Sequence, residues 1–194
     1  MTLKKIGRLL NWVSLTVSAL LITACASTTV TETTPPQLPV ENVLIVTGAG
    51  MVPSAKNDPR YESMWLQTAN TFAKGLRDAI EHSGKKAQLN IRPDQSSGLA
   101  EYVATLLATG KQDALLQVTV SHVKNSSENT IYLEASFMPL GAKRYSDGRR
   151  QATTHAGPTK RYALLSTTGK DMREASLSEL AEKFVKELRA QGFL

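Results

Sequence analysis

Two runs of alternating apolar and polar residues, at 114–123 and 130–138, constrain the fold most. Each run carries its apolar side chains on one strand face: Leu116, Val118 and Val120 in the first, and Ile131, Leu133, Ala135 and Phe137 in the second. A side-chain period of two is typical of β-strands with one buried face. The polar residues 125–129 between the runs favour a turn. The pattern therefore predicts an antiparallel hairpin whose apolar face packs against other elements.

Further periodic segments extend this hairpin into a layered domain. Residues 43–46 are a continuous apolar run, typical of a strand buried on both faces. Residues 60–82, residues 99–108 and the segment from Ser176 onward carry apolar stripes at helical spacing, and residues 87–92 alternate as a half-exposed strand. Residues 141–159 predict a polar loop before a third meander strand at 162–165. The order β-α-β-α-β-β-β-α predicts one α+β domain over residues 41–194, with a mixed sheet and helices packed on it.

The first 25 residues differ in character from this domain. Residues 1–8 contain Lys4, Lys5 and Arg8 without an acid, and residues 9–24 are mostly apolar but too few to span a hydrocarbon core of about 30 Å comfortably. Small residues then precede Cys25, the only cysteine of the chain. This order predicts an export signal over residues 1–24. The alternatives are an uncleaved anchor helix and an ordinary secretory signal followed by a leftover cysteine.

The sequence Ile22-Thr23-Ala24-Cys25 resembles the lipobox of bacterial lipoproteins. The resemblance implies cleavage before Cys25, a diacylglyceryl group on its sulfur and an acyl chain on the new amino group. More than one acyl chain holds a protein stably on a membrane without a transmembrane helix. Lipoproteins retained in the inner membrane typically carry Asp directly after the cysteine, whereas Ala26 and Ser27 resemble the outer-membrane pattern. The resemblance therefore implies a chain anchored on the periplasmic face of the outer membrane.

Composition bounds the rest of the exported chain. Residues 25–40 comprise the predicted lipidated cysteine and a segment rich in Thr and Pro, which predicts a linker with a reach of about 45 Å. Loss of the three cations of the signal lowers the net charge from +6 (23 minus 17) to +3 (20 minus 17). A nucleic-acid partner is therefore not expected. With Cys25 lipidated, no cysteine remains for a disulfide, so burial must stabilise the domain.

The order of elements, on a lipoprotein anchor, resembles the amino-terminal domain of the translocation protein TolB. Lipoproteins built on the same plan include penicillin-binding-protein activators and lipoproteins auxiliary to transport systems. The resemblance covers most of residues 41–192 and consists of element order, without a diagnostic motif. It implies a protein that binds other envelope proteins and is not an enzyme. The short linker departs from the long tethers of the activator lipoproteins.

Signatures of catalysis, metal binding and cofactor binding are absent from the sequence. Residues 47–50 read Thr-Gly-Ala-Gly after a predicted strand, but Pro53 stands where a dinucleotide fingerprint needs its third glycine. His82, His122 and His155 lie on different predicted elements and lack the spacing of a zinc helix. No G-x-S-x-G segment places a serine at a strand-to-helix elbow. We therefore predict no catalytic residue, no metal and no cofactor.

The segment from 143 to 161 is the candidate interaction site. It concentrates cations and aromatic residues around a single acid, Asp147; the predicted partner-binding residues are Lys143, Arg144, Tyr145, Arg149, Arg150, Lys160 and Arg161. Arginine beside aromatic residues is typical of interaction surfaces. Acidic lipid headgroups, lipopolysaccharide phosphates or an acidic partner protein fit such a loop. The alternative is a solvated flexible loop.

The less apolar faces of the predicted hairpin form a second candidate surface, with Leu115, Tyr132 and Met138, unless these are ordinary half-buried positions. Anchor, tether, folded domain and missing catalytic groups together predict a non-enzymatic adaptor or assembly factor for an envelope complex. The alternative is a periplasmic carrier of lipid or another small ligand that serves a transport system, which requires an apolar cavity between helices and sheet.

Overall fold

The computed structural model describes residues 28–53, 59–93, 98–109, 111–124, 129–164 and 174–194. Seven strands and three helices follow one another in this order: β1 Val30–Thr34, β2 Asn42–Gly48, α1 Pro59–His82, β3 Lys86–Arg92, α2 Leu99–Thr109, β4 Ala114–Lys124, β5 Asn129–Tyr145, β6 Arg150–Thr154, β7 Thr159–Leu164 and α3 Glu174–Ala190. The mixed sheet with helices packed on it confirms the predicted α+β class.

The sheet is built around β2 and β5. β2 pairs in parallel with β3 and with β4, and helices α1 and α2 supply the crossover connections that parallel neighbours need. β4, β5 and β7 form the predicted antiparallel meander. β5 continues beyond Pro139, its last residue paired with β4, and there it pairs with β1 on one side and β6 on the other.

Most of the core lies between the sheet and the layer formed by α1 and α3. The stripe of α1 buries Trp65, Phe72 and Leu76, and α3 buries Phe184 and Leu188 beside them. The apolar faces predicted for β4 and β5 pack against this layer, since their alternating side chains are almost fully buried. Period-two strands and period-3.6 helices thus meet along one continuous apolar surface.

Helix α2 covers part of the opposite sheet face. Leu44 and Val46 of β2 pack there with Val103 of α2, so β2 is buried on both faces as predicted. Leu115 belongs to the same cluster and is 1% exposed. Its prediction as part of a contact surface is therefore wrong, because α2 packs over the start of β4.

Two segments predicted as irregular are strands. Val30–Thr34, within the predicted linker of residues 25–40, form β1, and much of the predicted loop 141–159 belongs to β5 and β6. The reason is that β5 runs past β4 and offers two free edges, which β1 and β6 occupy. The local signals were the Thr and Val content of residues 28–34, which favours strands, and the Asp147-Gly148 pair, which favours a hairpin turn. Gly148 has a φ of 85°, in the left-handed region that glycine adopts readily.

Candidate interaction surface

The chain enters the domain at the tip of the β5–β6 hairpin. The Ser146 backbone N–H donates to the Thr29 carbonyl at 2.9 Å, and the Thr29 N–H donates to the Ser146 hydroxyl at 3.3 Å. β1 then runs antiparallel to the end of β5, with Val30 opposite Tyr145. Cys25 and the predicted signal lie outside the described residues, so its lipidation stays a prediction. Cys25 precedes Thr29 by four residues, which span about 14 Å at most.

The predicted partner-binding residues fall into two groups. Lys143, Arg144 and Tyr145 lie at the end of β5, Arg149 lies in the turn and Arg150 begins β6. Lys160 and Arg161 lie on β7 and pair with the other half of β5. The structure therefore brings together the five predicted residues of the β5–β6 hairpin and places Lys160 and Arg161 elsewhere on the sheet. Their binding role stays a prediction.

The two cations of β7 form ion pairs within the domain. The Lys160 Nζ lies 2.9 Å from a Glu187 carboxylate oxygen on α3. On the opposite sheet face the Arg161 guanidinium lies 2.7 Å from the Glu134 carboxylate, and its central carbon stands 5.2 Å from the centre of the Tyr132 ring. These contacts fasten β7 to α3 and to β5.

We call the group Lys143, Arg144, Arg149 and Arg150 the basic hairpin. Its turn is held by Asp147, whose carboxylate accepts hydrogen bonds from the Arg149 backbone N–H at 3.0 Å and from the Arg149 Nε at 2.6 Å. These two bonds, backbone first, lower the pKa of Asp147 below its usual range. The Arg149 guanidinium carbon also lies 5.4 Å from the centre of the Tyr145 ring. These contacts hold Arg149 in the turn, which does not favour the alternative of a solvated flexible loop.

A second surface lies on the sheet face opposite α1 and α3, in the part of that face that α2 does not cover. Its nine side chains form three rows across β4, β5 and β7: Gln117, Ser136 and Thr159; Thr119, Glu134 and Arg161; Ser121, Tyr132 and Ala163. All nine are half-buried or exposed. We call this group the open sheet face. It contains the predicted contact residue Tyr132, and its polar character explains why no helix needs to cover it.

Two surface depressions bear on the carrier alternative. A cleft of about 200 Å³ lies between β1, α2 and the base of the basic hairpin, and both Asp113 and Arg150 line it. A groove of about 460 Å³ between α1 and α3 is open to solvent and edged by Glu182, Lys186 and Arg189. Ligand pockets are typically enclosed, mostly apolar and of about 300–1,000 Å³. Neither depression combines these properties, so neither favours the carrier.

One buried cation was missed from the sequence. Arg92, predicted on the polar face of β3, is 4% exposed, and its guanidinium carbon lies 5.6 Å from the centre of the Tyr102 ring on α2. The Tyr102 hydroxyl donates to the Asn90 amide oxygen on the same face of β3. Only the packing of α2 against the end of β3 brings these groups together. In the sequence, only the inward-facing position of Tyr102 on the predicted helix could have indicated that a polar group is buried here.

The histidines lie on separate elements, with His82 at the end of α1, His122 on β4 and His155 just after β6. Within the described ranges, no three His, Cys, Asp or Glu side chains converge as metal ligands would. Among the helices of those same ranges, none has both the length and the apolar character needed to cross a membrane.

Comparisons with known proteins gave distant likenesses only. No protein-family model and no curated protein matches the chain. Among solved structures, a PelC dodecamer from Paraburkholderia phytofirmans aligns over 81% of this chain and 95% of its own at 10% identity and a TM-score of 0.31. A Xanthomonas campestris protein of the DUF330 family aligns over 79% of this chain and 84% of its own at 13% identity and a TM-score of 0.28. Such low scores carry no argument about this chain, and the resemblance to the TolB group is not confirmed.

Proposed function

We propose that this chain is a lipid-anchored, non-enzymatic adaptor that acts at the periplasmic face of the outer membrane in a cell-envelope complex. The anchor is Cys25, within the lipobox-like Ile22–Cys25 segment. The observation that carries the proposal is the pairing of β1 with β5, because this pairing begins only a few residues after Cys25. The tether then reaches at most about 14 Å, in place of the 45 Å expected from composition. An anchor so close to the domain keeps its surfaces at the membrane.

An adaptor needs a stable surface that a partner protein can recognise. The open sheet face meets this need, since its side chains stand on three paired strands over a well-packed core. The middle row of the face runs from Thr119 of β4 through Glu134 of β5 to Arg161 of β7, and Glu134 and Arg161 form an ion pair. Charged and hydroxyl groups in fixed positions favour specific recognition of a polar partner surface.

The anchor is tested by mass and by fractionation. The mature protein should gain the mass of three acyl chains. Cys25→Ser should lack this mass, and any of it that is cleaved after residue 24 should leave the membrane fraction. A wild-type protein without fatty acids, together with unchanged membrane binding of Cys25→Ser, would refute the anchor.

The adaptor role is tested by co-purification from detergent extracts. A stoichiometric envelope partner should accompany the wild-type protein. Thr119→Arg places a bulky cation in the middle row of the open sheet face, beside Glu134, and should remove that partner. Gln67→Arg, an exposed position on α1, should retain it. If no partner accompanies the wild type under any extraction, the adaptor proposal fails. If Thr119→Arg keeps the partner, the open sheet face is not the contact surface.

A further inference from the structure

The basic hairpin places two like charges opposite each other. Arg144 of β5 and Arg150 of β6 are directly paired across the strands, an arrangement that destabilises an isolated hairpin. Glu32 of β1 offsets part of this repulsion, at 3.5 Å from the Arg144 Nε, but both side chains of that pair are more than half exposed, at 64% and 60%. Among the residues that the structure describes, Arg150 and Lys143 have no acid within ion-pair distance. Two of the four cations form ion pairs, Arg144 with Glu32 and Arg149 with Asp147, so the tip keeps an excess of positive charge.

The basic hairpin also lies at the anchored end of the domain. It projects beyond the amino-terminal ends of β2 and β4, because β5 continues past its pairing with β4. Its tip is hydrogen-bonded to Thr29, four residues after Cys25. The polar headgroup layer of one leaflet is about 5–7 Å thick, and charges interact over about 8 Å at physiological ionic strength. With Cys25 acylated, the tether of about 14 Å therefore holds the tip within reach of the headgroups.

We propose that the basic hairpin binds the phosphate groups of anionic phospholipids in the leaflet that holds the anchor. This proposal rests on the proposed lipidation of Cys25. Guanidinium groups match phosphate oxygens in geometry as well as charge, and a phosphate between Arg144 and Arg150 would relieve their mutual repulsion. The tether makes each contact intramolecular, so weak individual contacts suffice. The hairpin then orients the domain, with the carboxyl ends of β2, β3 and β4 directed away from the membrane.

The test measures the distance of the hairpin tip from the membrane surface. Ser146 is exposed at the tip, and Ser146→Cys becomes the only free thiol once Cys25 is acylated. The substitution removes the hydroxyl that accepts from Thr29 but keeps the bond from the Ser146 backbone N–H to the Thr29 carbonyl. The mature lipidated protein carries a fluorophore there and is reconstituted into vesicles with a headgroup-nitroxide lipid. One set of vesicles is phosphatidylcholine, and the other is equal parts phosphatidylcholine and phosphatidylglycerol. Quenching should be several-fold stronger in the anionic vesicles and should decline at high salt.

The decisive variant is Arg144→Gln with Arg150→Gln. Each cation near an anionic surface favours binding about fivefold, so losing two should weaken tip contact about 30-fold and bring quenching to the level of neutral vesicles. The matched control is Lys74→Gln with Lys183→Gln, two exposed positions on α1 and α3, in the layer on the opposite sheet face. The control should quench like the parent. The Arg pair variant should unfold at the same or a higher temperature, because a like-charge pair is removed.

Equal quenching in both vesicle types, or full quenching of the Arg pair variant, would overturn the lipid contact. Loss of a co-purifying protein in that variant with quenching unchanged would assign the hairpin to a protein partner and would likewise overturn it. Failure of the anchor is distinguishable, since Cys25 would then lack acyl mass, react with the fluorophore and leave the protein unattached to vesicles of either composition.

Discussion

Asp113 offers the sharpest test of how the sheet is held at the end where β2 and β4 begin. It directly precedes β4, and one of its carboxylate oxygens accepts three hydrogen bonds: from the Glu41 backbone N–H at 3.2 Å, from the Asn42 backbone N–H at 3.0 Å and from the Asn42 side-chain amide at 3.0 Å. Its own N–H donates to the Asn42 carbonyl at 2.8 Å, and its carbonyl accepts from the Leu140 N–H at 2.8 Å. Asp113 therefore links the start of β2 to β4 and to β5.

Asp113→Ala removes the shared acceptor. The Glu41 bond is exposed, so water replaces it at little cost, whereas the two Asn42 bonds are partly buried. Hydrogen bonds to a charged group contribute about 1.5–3 kcal/mol each, and the lower end applies to partly buried ones. We therefore expect a loss of about 2–3 kcal/mol in the free energy of unfolding, and a fall of about 4–12 °C in Tm for a chain of this size. Asp113→Asn keeps a neutral acceptor and should lose about 1 kcal/mol.

Urea unfolding of the mature protein, followed by tryptophan fluorescence, measures these changes. Trp65 is 3% exposed, and the other tryptophan, Trp12, lies within the predicted signal. Asp78→Ala is the control, because its ion pair with the adjacent Arg77 is exposed and should contribute less than about 0.5 kcal/mol. The reasoning is refuted if Asp113→Ala resembles this control, or if Asp113→Asn is as unstable as Asp113→Ala.

Two further predictions concern β7 and the segment before it. Burial, followed by the charge of Glu187, raises the pKa of Tyr162 to about 12. This raised pKa stabilises the fold fully below about pH 10, and the stabilisation is lost as the pH rises to about 12. Over that range the free energy of unfolding, measured in urea, should fall by about 1–2 kcal/mol more in wild type than in Tyr162→Phe. Parallel pH profiles of the two proteins would contradict this. At Gly157 an added Cβ would lie 2.3 Å from the Phe137 carbonyl oxygen, so Gly157→Ala should destabilise by about 1–3 kcal/mol. At Gly98 an added Cβ meets no atom within 4 Å, so Gly98→Ala should be close to neutral. Thermal melts of both glycine variants measure this effect. Equal Tm values for the two variants would contradict the prediction.

Prediction from sequence succeeded where local pattern and tertiary packing agree. The hairpin of β4 and β5 was predictable because Leu116 and Phe137 belong to faces that alternate without interruption. The stripe of α1 was predictable because Trp65, Phe72 and Leu76 recur at helical spacing and all are buried. In each of these elements, the spacing of apolar residues within the element itself identifies the face that is buried.

The candidate site was predictable in composition but not in arrangement. The cations from Lys143 to Arg161 were evident, yet their division between the basic hairpin and β7 depends on which edges of β5 are free. The pairing of Arg144 with Arg150 depends on strand register, which cannot be derived from the composition of the segment. The open sheet face likewise exists because α2 covers β2 and the start of β4 and extends no further.

The amino-acid sequence by itself determined the α+β class, the identity of the apolar faces and the lipobox-like segment ending at Cys25, because each is written in residue spacing within one segment. The tertiary structure alone decided that Val30–Thr34 form a strand, that Arg92 is buried and that the cations of the basic hairpin gather beside the predicted anchor. The physical reason is that an unpaired strand edge or an uncovered apolar sheet face is stabilised by whatever segment can reach it. That choice depends on contacts between residues far apart in the chain, here Thr29 with Ser146 and Arg92 with Tyr102.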